Sequence, residues 1–561
     1  MSVQNSFFSQ DLYGKKVAIF CPHQDDEVHV GGGLLESFKS MGAEIYVVFS
    51  TNGDYKFKAS TRYREVINAL SVMGIDERKI VFMGYADGCI KDKHIFFAEY
   101  EPQVSLSGHV RAYGALGHSD YGFIKRGKHS PYTKKAFYQD IKDILCDIYP
   151  DIILCVDYDH HWDHRMLSVA LDDVLGELLN SNGSTYAPLV YKTLAYANAY
   201  EAKPDFYDIN ILSVPRPLVG EVLGYDTDIL EYSFYDWERR IRFPVPLNCR
   251  GRFLHTNLLF QALVKHHSQG AAMHAEYCIN GDVVYWQRRT DNLLYSADII
   301  ATSGDPECIR DFCVYGVPSI KHSALEVGFK DKMWCPNEED KEKSILISWD
   351  ECKPVSQIVL YGNITAEGKV CRYSLNINGD EIIQGGPLPD NGRPQYIIFS
   401  EQKMIKSCRI VLEECWGNAG INQCEMFSDG VQHGGLRPHI KLMIDGEFAY
   451  DYWIDYDVNE VNFDCYSYMY DGDVHIEILN ECNSKLLGNK LVIDDRDNEI
   501  YIRAVAADDD TIYDVIEIKR KKHCVMWKLR LKQMIEKRII NFCLRRIKKY
   551  MYLRNRYVRD I

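Results

Sequence analysis

The segment KVAIFC at residues 16–21, followed directly by Pro22-His23-Gln24-Asp25-Asp26-Glu27, decides the fold of the first half of the chain. An apolar run rich in β-branched residues is typical of a strand that is buried on both faces. Three further runs of this kind follow, with helical apolar spacing between them: EIYVVFST at 44–51, KIVFMGY at 79–85 and DIILCVD at 151–157. Strands that alternate with helices predict βαβ units, and therefore an α/β fold with a Rossmann-like parallel sheet.

Two of these strands end in acids and imidazoles. Residues 23–27 follow the first strand, and the sequence DYDHHWDH occupies residues 157–164 at the end of the fourth. Ligands bind at the carboxyl ends of the strands in open α/β sheets. If the two strands are neighbours, their loops face each other across one crevice. Two histidines and one carboxylate would then supply three zinc ligands and leave a fourth position open for water.

These loops have two alternative interpretations. An acidic turn is often a solvated loop that caps a helix, and clustered histidines often lie on the surface. Their occurrence at two strand ends of one α/β domain favours a functional site. A dinucleotide site is the second alternative, because Gly31-Gly32-Gly33 opens a helix. However, Glu36 occupies the third glycine position of G-x-G-x-x-G, and the adjacent acids would repel a pyrophosphate.

These motifs, in this order and spacing, resemble the LmbE-like (PIG-L) family of zinc-dependent N-deacetylases. The matching elements are His-x-Asp-Asp-Glu at 23–27, the glycines beyond it, Thr51-Asn52-Gly53, Arg62-x-x-Glu65 with Ala69 and Met73-Gly74, Ala86-Asp87-Gly88, His161-x-Asp163-His164 and His266-His267-Ser268-Gln269. The resemblance covers about residues 10–295. Gln24 and Trp162 stand where the family usually has proline, which affects loop stiffness rather than the ligand atoms.

The resemblance implies a Zn²⁺ site and roles for five residues. His23, Asp26 and His164 would hold the zinc. Asp25 would be the general base that accepts a proton from water. His161, if protonated, would stabilise the oxyanion, and either Asp25 or His161 would protonate the departing amine.

Four more residues are weaker candidates around this centre. Asp163 would orient a histidine. Glu27, Arg62 and Asp87 would support the ligands or contact sugar hydroxyls, and a salt bridge or a helix cap is the alternative for each. A long aperiodic segment from Lys91 to Lys135 is expected to form a lid over the crevice. Its residues that could touch a sugar are His109, Tyr113, His118, Tyr121 and His129.

The remainder of the chain predicts β-structure. Short strands separated by turns indicate one β-sandwich at 296–432 and a second, smaller one at 433–520. Residues 301–429 resemble a discoidin (galactose-binding-like) module, with Trp334 near the start and GINQCEMF at the end. Such modules often bind glycans, and a structural spacer is the alternative. Deletion of residues 301–518 is therefore expected to weaken action on a large glycan and to leave turnover of a small sugar nearly intact.

The end of the chain is basic, whereas the rest of the chain is acidic. The formal net charge of −15 argues against a nucleic-acid-binding protein. Residues 521–561 are strongly basic, and a helical projection places most apolar residues on one side and most cations on the other. This pattern predicts an amphipathic helix with peripheral membrane contact through residues 535–559. Docking onto the acidic remainder or onto a partner helix are the alternatives.

The expected location is cytoplasmic, with the tail at the inner face of the membrane. The N-terminus lacks the basic and apolar regions of a signal peptide, and no run is apolar enough to span a membrane. The cysteines form no CxxC pair, which favours reduced core thiols.

The sequence thus divides into a deacetylase domain at 1–295, the two sandwiches and the basic helix at 521–561. The predicted function is zinc-dependent hydrolysis of an N-acetyl group from an amino-sugar unit of a glycan or glycoconjugate, with release of acetate, in polysaccharide biosynthesis. One alternative is a deacetylase of a small N-acetylglucosamine conjugate. Another is a non-catalytic carbohydrate-binding or scaffold protein. The complete set of candidate ligands argues against this second alternative.

Overall fold

A computed structural model describes most of the chain. The described residues are 12–90, 93–94, 101–157, 161–181, 185–195, 241–249, 254–279, 282–314, 332–363, 367–389, 394–429, 439–445, 447–448, 451–468, 470, 472–510, 512–520, 534–535 and 537–538. The chain divides into two compact units. The first contains the parallel sheet and the first sandwich, and the second contains the strands after residue 438.

A seven-stranded sheet forms the centre of the N-terminal part of the first unit. Its strands are β1 (Lys16–Cys21), β2 (Glu44–Thr51), β3 (Ile80–Tyr85), β6 (Ile152–Val156), β7 (Leu189–Thr193), β8 (Ile241–Pro244) and β9 (Asp282–Arg288). Two short strands, β4 (Cys89–Ile90) and β5 (Lys93–His94), form a separate hairpin. The strand order is β3-β2-β1-β6-β7-β9-β8. The first five strands in this order are parallel, which confirms the predicted sheet, whereas β9 and β8 add an antiparallel edge that the sequence did not predict.

The order of the strands places the two polar loops together. β1 pairs in parallel with β6, with Val17 opposite Ile152 and Phe20 opposite Cys155. The chain continues from β1 to β2 on one side and reaches β6 on the other, so the strand order reverses between β1 and β6. The carboxyl ends at such a reversal border the crevice where α/β proteins bind ligands.

Helices cover the sheet. They are α1 (Asp26–Val30), α2 (Gly32–Ser40), α3 (Ala59–Val72), α4 (Tyr121–Arg126), α5 (Lys134–Ile148), α6 (Trp162–Leu179), α7 (Leu258–Leu263) and α8 (Ala275–Cys278), with short 3₁₀ turns at Glu77–Lys79, Leu247–Cys249, Leu254–Thr256, Ala271–His274, Leu293–Ser296 and Pro306–Arg310. Local chemistry sets several of their ends. Thr133 caps α5 by accepting a hydrogen bond from the Ala136 N–H, and Asp120 caps α4 in the same way through Phe123. α6 is buried over most of its length, because it lies between the sheet and the sandwich.

The first sandwich surrounds its own apolar core. Its strands are antiparallel: β10 (Asp298–Ala301), β11 (Ser344–Tyr361), β12 (Gly368–Ile377), β13 (Glu381–Gly385), β14 (Pro394–Gly417) and β15 (Gln423–Phe427). The long strands β11 and β14 change register between Ser348 and Lys353, where a bulge bends both strands. Trp334 is fully buried in the core and bridges to Ile421.

The second unit is a smaller sandwich of two sheets. Its strands are β16 (His439–Ile444), β17 (Glu447–Phe448), β18 (Asp451–Ile454), β19 (Glu460–Tyr468), β20 (Val474–Ile478), β21 (Lys485–Leu487), β22 (Lys490–Val492), β23 (Glu499–Ala506) and β24 (Tyr513–Arg520). The sheet orders are β17-β16-β19-β22-β21 and β18-β24-β23-β20. Most pairs are antiparallel, but β18 runs parallel to β24. A core of buried Ile, Leu and Phe side chains joins the two sheets.

The basic tail lies almost entirely outside the described residues. Met534, Ile535, Lys537 and Arg538 are helical and exposed, and the rest of the predicted amphipathic helix is not described. Membrane contact through 535–559 therefore stays a prediction, as do the three boundaries between the four predicted domains. No helix among the described parts of the chain combines the length and hydropathy needed to cross a membrane.

Candidate active site

The loop after β1 holds Asp25 in a strained conformation. Its backbone φ of 151° with ψ of −22° is rarely adopted by an L-residue. Two contacts hold it there. The Asp25 N–H donates to Oε2 of Glu27 at 2.9 Å, and Nη2 of Arg62 donates to Oδ1 of Asp25 at 3.1 Å. Strain of this kind concentrates at functional sites because the surrounding contacts must enforce it.

The three predicted ligands lie against one another. Oδ2 of Asp26 is 3.1 Å from Nδ1 of His23 and 3.4 Å from Nε2 of His164. All three side chains are buried. The loop after β1 supplies His23, the start of α1 supplies Asp26, and the first turn of α6 supplies His164. The pairing of β1 with β6 brings these segments together.

Two acids from other loops contact the same imidazole. Nε2 of His23 lies 3.1 Å from Oδ2 of Asp163 and 3.3 Å from Oδ1 of Asp87. Asp163 also accepts the Gly88 N–H at 3.1 Å, which ties the loop after β3 to α6. The structure thus places Asp163 and Asp87 around His23, on the side opposite Asp26.

His161 lies at the exposed edge of this group. It caps α6, since its Nδ1 accepts the Asp163 N–H at 3.2 Å. Its ring centroid is 4.6 Å from that of His23 and 4.8 Å from that of His164. Its side chain is 44% exposed, whereas that of His164 is fully buried, so His161 alone of the three rings faces the open crevice.

Among the described residues, two groups have ligand atoms close enough for one metal ion: His23, His161 and His164, and His23, Asp87 and Asp163. In both groups the ligand atoms lie within 4.8 Å of one another. Both groups contain His23 and neither contains Asp26, so the predicted set of His23, Asp26 and His164 is not one of them, although Oδ2 of Asp26 lies against both imidazoles.

At the centre, neighbouring charged groups outweigh the effect of burial on the pKa values of His23 and Asp26. Burial by itself would lower the pKa of His23, but Asp87, Asp163 and Asp26 outweigh this effect and raise the pKa well above its usual value. Burial by itself would raise the pKa of Asp26, but His164 and His23 hold that pKa well below its usual value. The residues therefore favour an ionised Asp26 carboxylate between two imidazoles.

Arg62 is supported by the residue that replaces the usual proline. Gln24 is buried, its Nε2 donates to the carbonyl of Thr51 at 2.6 Å, and its Oε1 accepts from Nε of Arg62 at 3.5 Å. Gly53, with φ of +61°, packs against both side chains. A Cβ there would come within 2.4 Å of Oε1 of Gln24 and 2.5 Å of Nε of Arg62.

Glu27 connects the loop to a distant part of the sequence. Its Oε1 lies 2.6 Å from Nε2 of His266, and both side chains are fully buried. Ser268 donates from its N–H and its hydroxyl to the two oxygens of Glu65, at 2.7 and 2.6 Å. The Arg62-x-x-Glu65 and His266-x-Ser268-Gln269 motifs were noted in the sequence, but these pairings could not be derived from it.

The residues named in the segment that was predicted to form a lid have two different roles. His118 pairs with Glu77, Tyr121 donates to Asp147 and His129 contacts Asp120, so these three stabilise the fold. His109 and Tyr113 instead line a pocket that opens beside the loop after β2. Residues 91–92 and 95–100 of the segment lie outside the described residues.

Sequence reasoning missed Asp54. This residue is buried and accepts the Asp87 N–H at 3.0 Å, as well as the hydroxyls of Ser107 and Tyr113. Asn52, which the sequence gives only as part of the Thr51-Asn52-Gly53 motif, donates to the carbonyls of Gly84 and Tyr113 and accepts from Tyr63. The position of Asp54 directly after this motif was the available signal.

Comparison with known proteins identifies the family of the N-terminal domain. Residues 18–175 match the family model PIG-L, described as GlcNAc-PI de-N-acetylase, and form a PIG-L family domain. No curated protein matches the chain.

Similar solved structures include the N,N'-diacetylchitobiose deacetylase from Pyrococcus horikoshii, with 19% identity over 36% of this chain and 68% of that chain, and a TM-score of 0.21. A family 32 carbohydrate-binding module from C. perfringens in complex with galactose has 14% identity over 24% and 94% of the two chains, with a TM-score of 0.18. A fucose-binding module from Streptococcus pneumoniae has 14% identity over 25% and 95%, with a TM-score of 0.19.

Proposed function

We propose that this chain, which carries a PIG-L family domain at residues 18–175, hydrolyses the N-acetyl group of an amino-sugar unit in a glycan or glycoconjugate and releases acetate. The observation that carries the proposal is the position of Asp25. Its buried carboxylate accepts a hydrogen bond from Arg62 at 3.1 Å, in the same loop after β1 that carries His23 and Asp26, at the crevice edge shared with β6. The family match supports a deacetylase that acts on an N-acetylglucosamine-type substrate.

We propose that His23, Asp26 and His164 hold one divalent cation, and that it is zinc. Oδ1 of Asp26 is buried and has no hydrogen-bond partner among the described residues, while Oδ2 lies within 3.4 Å of nitrogens of both His23 and His164. Two imidazoles and one carboxylate are a common ligand set of catalytic zinc. When bound, zinc supplies Lewis-acid chemistry, which polarises a carbonyl and makes water easier to deprotonate.

Asp25 would act as the general base. Its carboxylate would accept the proton of the water that attacks the acetamide carbonyl, and would then return a proton to the amine as the C–N bond breaks. Arg62 fixes the orientation of this carboxylate, and the Glu27 contact to its N–H fixes the backbone. The base is therefore oriented before substrate arrives, which reduces the reorganisation needed during reaction.

His161 would act on the developing negative charge. Because its Nδ1 accepts the Asp163 N–H, the proton of a neutral ring lies on Nε2. The 44% exposure of the side chain leaves it accessible from the crevice. A donor at this position can stabilise the oxyanion of the tetrahedral intermediate.

Asp163 and Asp87 would orient His23, since both carboxylates lie against its Nε2.

The test combines metal analysis with acetate release. Purified full-length protein would be assayed on a panel of N-acetylated glycans and on a small N-acetylglucosamine conjugate, before and after chelation. We expect about one metal ion per chain and acetate release that chelation abolishes and zinc restores. Zinc-loaded protein that releases no acetate from any member of the panel would contradict the proposal and favour a non-catalytic carbohydrate-binding protein.

A further inference from the structure

A pocket of about 470 Å³ opens beside the candidate centre. We call it the aromatic pocket. One wall is the turn between β2 and α3 with the first residues of that helix, and the other is the segment that follows the hairpin of β4 and β5. The lining residues used below are Asp54, Tyr55, Phe57, Ser107, His109 and Tyr113. Its volume lies within the range of roughly 300–1,000 Å³ that is usual for small-ligand sites.

The aromatic pocket adjoins the centre through a chain of two contacts. Oδ1 of Asp54 accepts the Asp87 N–H at 3.0 Å, and Oδ1 of Asp87 lies 3.3 Å from Nε2 of His23. Tyr55 packs against Gly88, whose N–H donates to Asp163. A substrate unit held in the pocket would therefore lie next to a unit held at the centre.

The pocket has the chemistry of a sugar site. Tyr55 and Phe57 are 53% and 39% exposed, although their rings are large and apolar, so both offer surface for an apolar face of a ligand. His109 and Tyr113 also line the pocket, and their rings stack on each other with centroids 4.1 Å apart. Lys56 and Lys58 also line the pocket, and Nζ of Lys56 lies 5.5 Å from the centroid of the Tyr55 ring.

Asp54 fixes the two walls relative to each other. Its Oδ2 accepts hydrogen bonds from the hydroxyls of Ser107, at 2.5 Å, and Tyr113, at 2.7 Å. Both oxygens of this buried carboxylate are therefore engaged. These hydrogen bonds hold the walls in place without a ligand, and the lining combines aromatic rings with polar side chains.

We infer that the aromatic pocket binds a second, neutral pyranose unit, next to the N-acetylated unit that is hydrolysed. The inference rests on the proposed function and narrows it, because it makes the substrate an oligosaccharide or larger glycan rather than a small conjugate. Pyranose rings present apolar C–H faces and peripheral hydroxyls, which match a lining of aromatic rings and polar side chains.

The experiment compares N-acetylglucosamine with its β-1,3-, β-1,4- and β-1,6-linked disaccharides on the full-length, zinc-loaded protein. The wild-type chain is compared with the double variant Tyr55→Ala/Phe57→Ala. Both side chains are exposed, so their removal is not expected to unfold the domain. Tyr13→Ala is the matched control, because Tyr13 is an 81% exposed aromatic that packs against Gly42, before the opposite end of β2.

We expect kcat/KM for at least one disaccharide to exceed that for the monosaccharide by about tenfold, which corresponds to aromatic contacts of ordinary strength. The double variant should lose this preference and the control should keep it. An equal preference in the wild-type chain and the double variant, or no preference for any disaccharide in the wild-type chain, would overturn the inference.

Disaccharide binding, measured by calorimetry in the absence of turnover, separates this inference from the proposed function. If no substrate releases acetate but a disaccharide binds about tenfold more tightly to the wild-type chain than to the double variant, the proposed function fails and the pocket stands. If acetate is released but disaccharide binding is the same in both chains, the pocket fails and the proposed function stands.

Discussion

Nε2 of His266 lies 2.6 Å from Oε1 of Glu27, and both side chains are fully buried. The other oxygen of Glu27 accepts the N–H of Asp25, so a residue 239 positions away in the sequence helps to hold the backbone of the proposed base. Burial by itself would lower the pKa of His266, but Glu27 outweighs this effect and raises it. The pair is therefore a charge-assisted contact in the interior.

His266→Ala should destabilise the protein and reduce its activity. The substitution leaves the Glu27 carboxylate buried without its partner, which costs about 3–5 kcal/mol of unfolding free energy. Urea denaturation measures this loss. His267→Ala is the matched control, since the adjacent side chain is exposed, and should change the unfolding free energy by less than about 0.5 kcal/mol. Equal effects of the two substitutions would contradict a specific role for the Glu27–His266 pair.

Gly53→Ala should displace Arg62 and Gln24. The new Cβ would come within 2.4 Å of Oε1 of Gln24 and 2.5 Å of Nε of Arg62, at a position where φ is +61°. The expected result is a loss of unfolding free energy of about 2–3 kcal/mol and a fall in kcat, because Arg62 orients Asp25. Gly117→Ala is the control. Its φ is +84° but nothing lies within 4 Å, so it isolates the backbone strain of about 1 kcal/mol.

Gly176→Val should separate the first sandwich from α6. A Cβ on Gly176 would lie 1.8 Å from the carbonyl oxygen of Asp311, so the helix and this part of the connection between β10 and β11 cannot both keep their positions. We expect a loss of about 3 kcal/mol or more in thermal unfolding experiments. Glu177→Val, at the next and exposed position of the same helix, should cost its helix propensity and its exposed ion pair with Lys142, together about 1 kcal/mol. A similar loss in both variants would show that this packing contributes little.

Contacts between the first sandwich and the sheet change the expected result of deleting the sandwich. The sequence suggests that residues 301–518 can be removed with little effect on a small substrate. Arg288 of β9 and Glu425 of β15 lie 3.5 Å apart in the interior, and Asn292 donates to the carbonyl of Cys424. Because these contacts join the sandwich to the sheet, we now expect removal of residues 301–429 to destabilise the deacetylase domain as well.

Asp311 should make stability depend on pH. Burial raises its pKa from 3.8 to about 7; nearby Lys332 opposes this rise and Asp173 adds to it. An acid whose pKa is raised by folding binds its proton more tightly in the folded state, so stability is lost as the pH rises from about 4 to about 7. Asp311→Asn should therefore raise the unfolding free energy by about 1–3 kcal/mol at pH 8 and have little effect at pH 4.

Asp305→Asn is the control for this pH dependence. Asp305 is exposed and caps a 3₁₀ turn, and asparagine caps equally well. Its unfolding free energy should follow that of the wild-type chain at both pH values. If Asp311→Asn shows the same difference from wild type at pH 4 and pH 8, the Asp311 carboxyl does not titrate in this range.

The parts of the fold that depend on local pattern could be predicted from the sequence. β1, β2, β3 and β6 lie within one residue of their predicted bounds, because continuous apolar runs determine buried parallel strands. β8 and β9 were not predicted, since their pairing depends on contacts between distant residues. The parallel pair of β18 and β24 was missed for the same reason.

In the candidate site too, features set by local sequence pattern could be predicted, whereas contacts between distant segments could not. His23, Asp26 and His164 could be placed together because the carboxyl ends of neighbouring parallel strands share one edge. The sequence could not show that Asp87 contacts His23, that His266 contacts Glu27 or that Asp54 joins the walls of the aromatic pocket. Each of these contacts connects separate loops, and its geometry exists only after the whole domain has folded.

The most direct test of the central claim is metal content and acetate release measured together on Asp25→Asn. The substitution keeps the size of the side chain and removes its ability to accept a proton. The account predicts that Asp25→Asn retains the metal content of the wild-type chain and loses activity by about 10²- to 10⁴-fold, the usual contribution of general base catalysis. His164→Ala should instead lose the metal. Full activity of Asp25→Asn with metal bound would contradict the account.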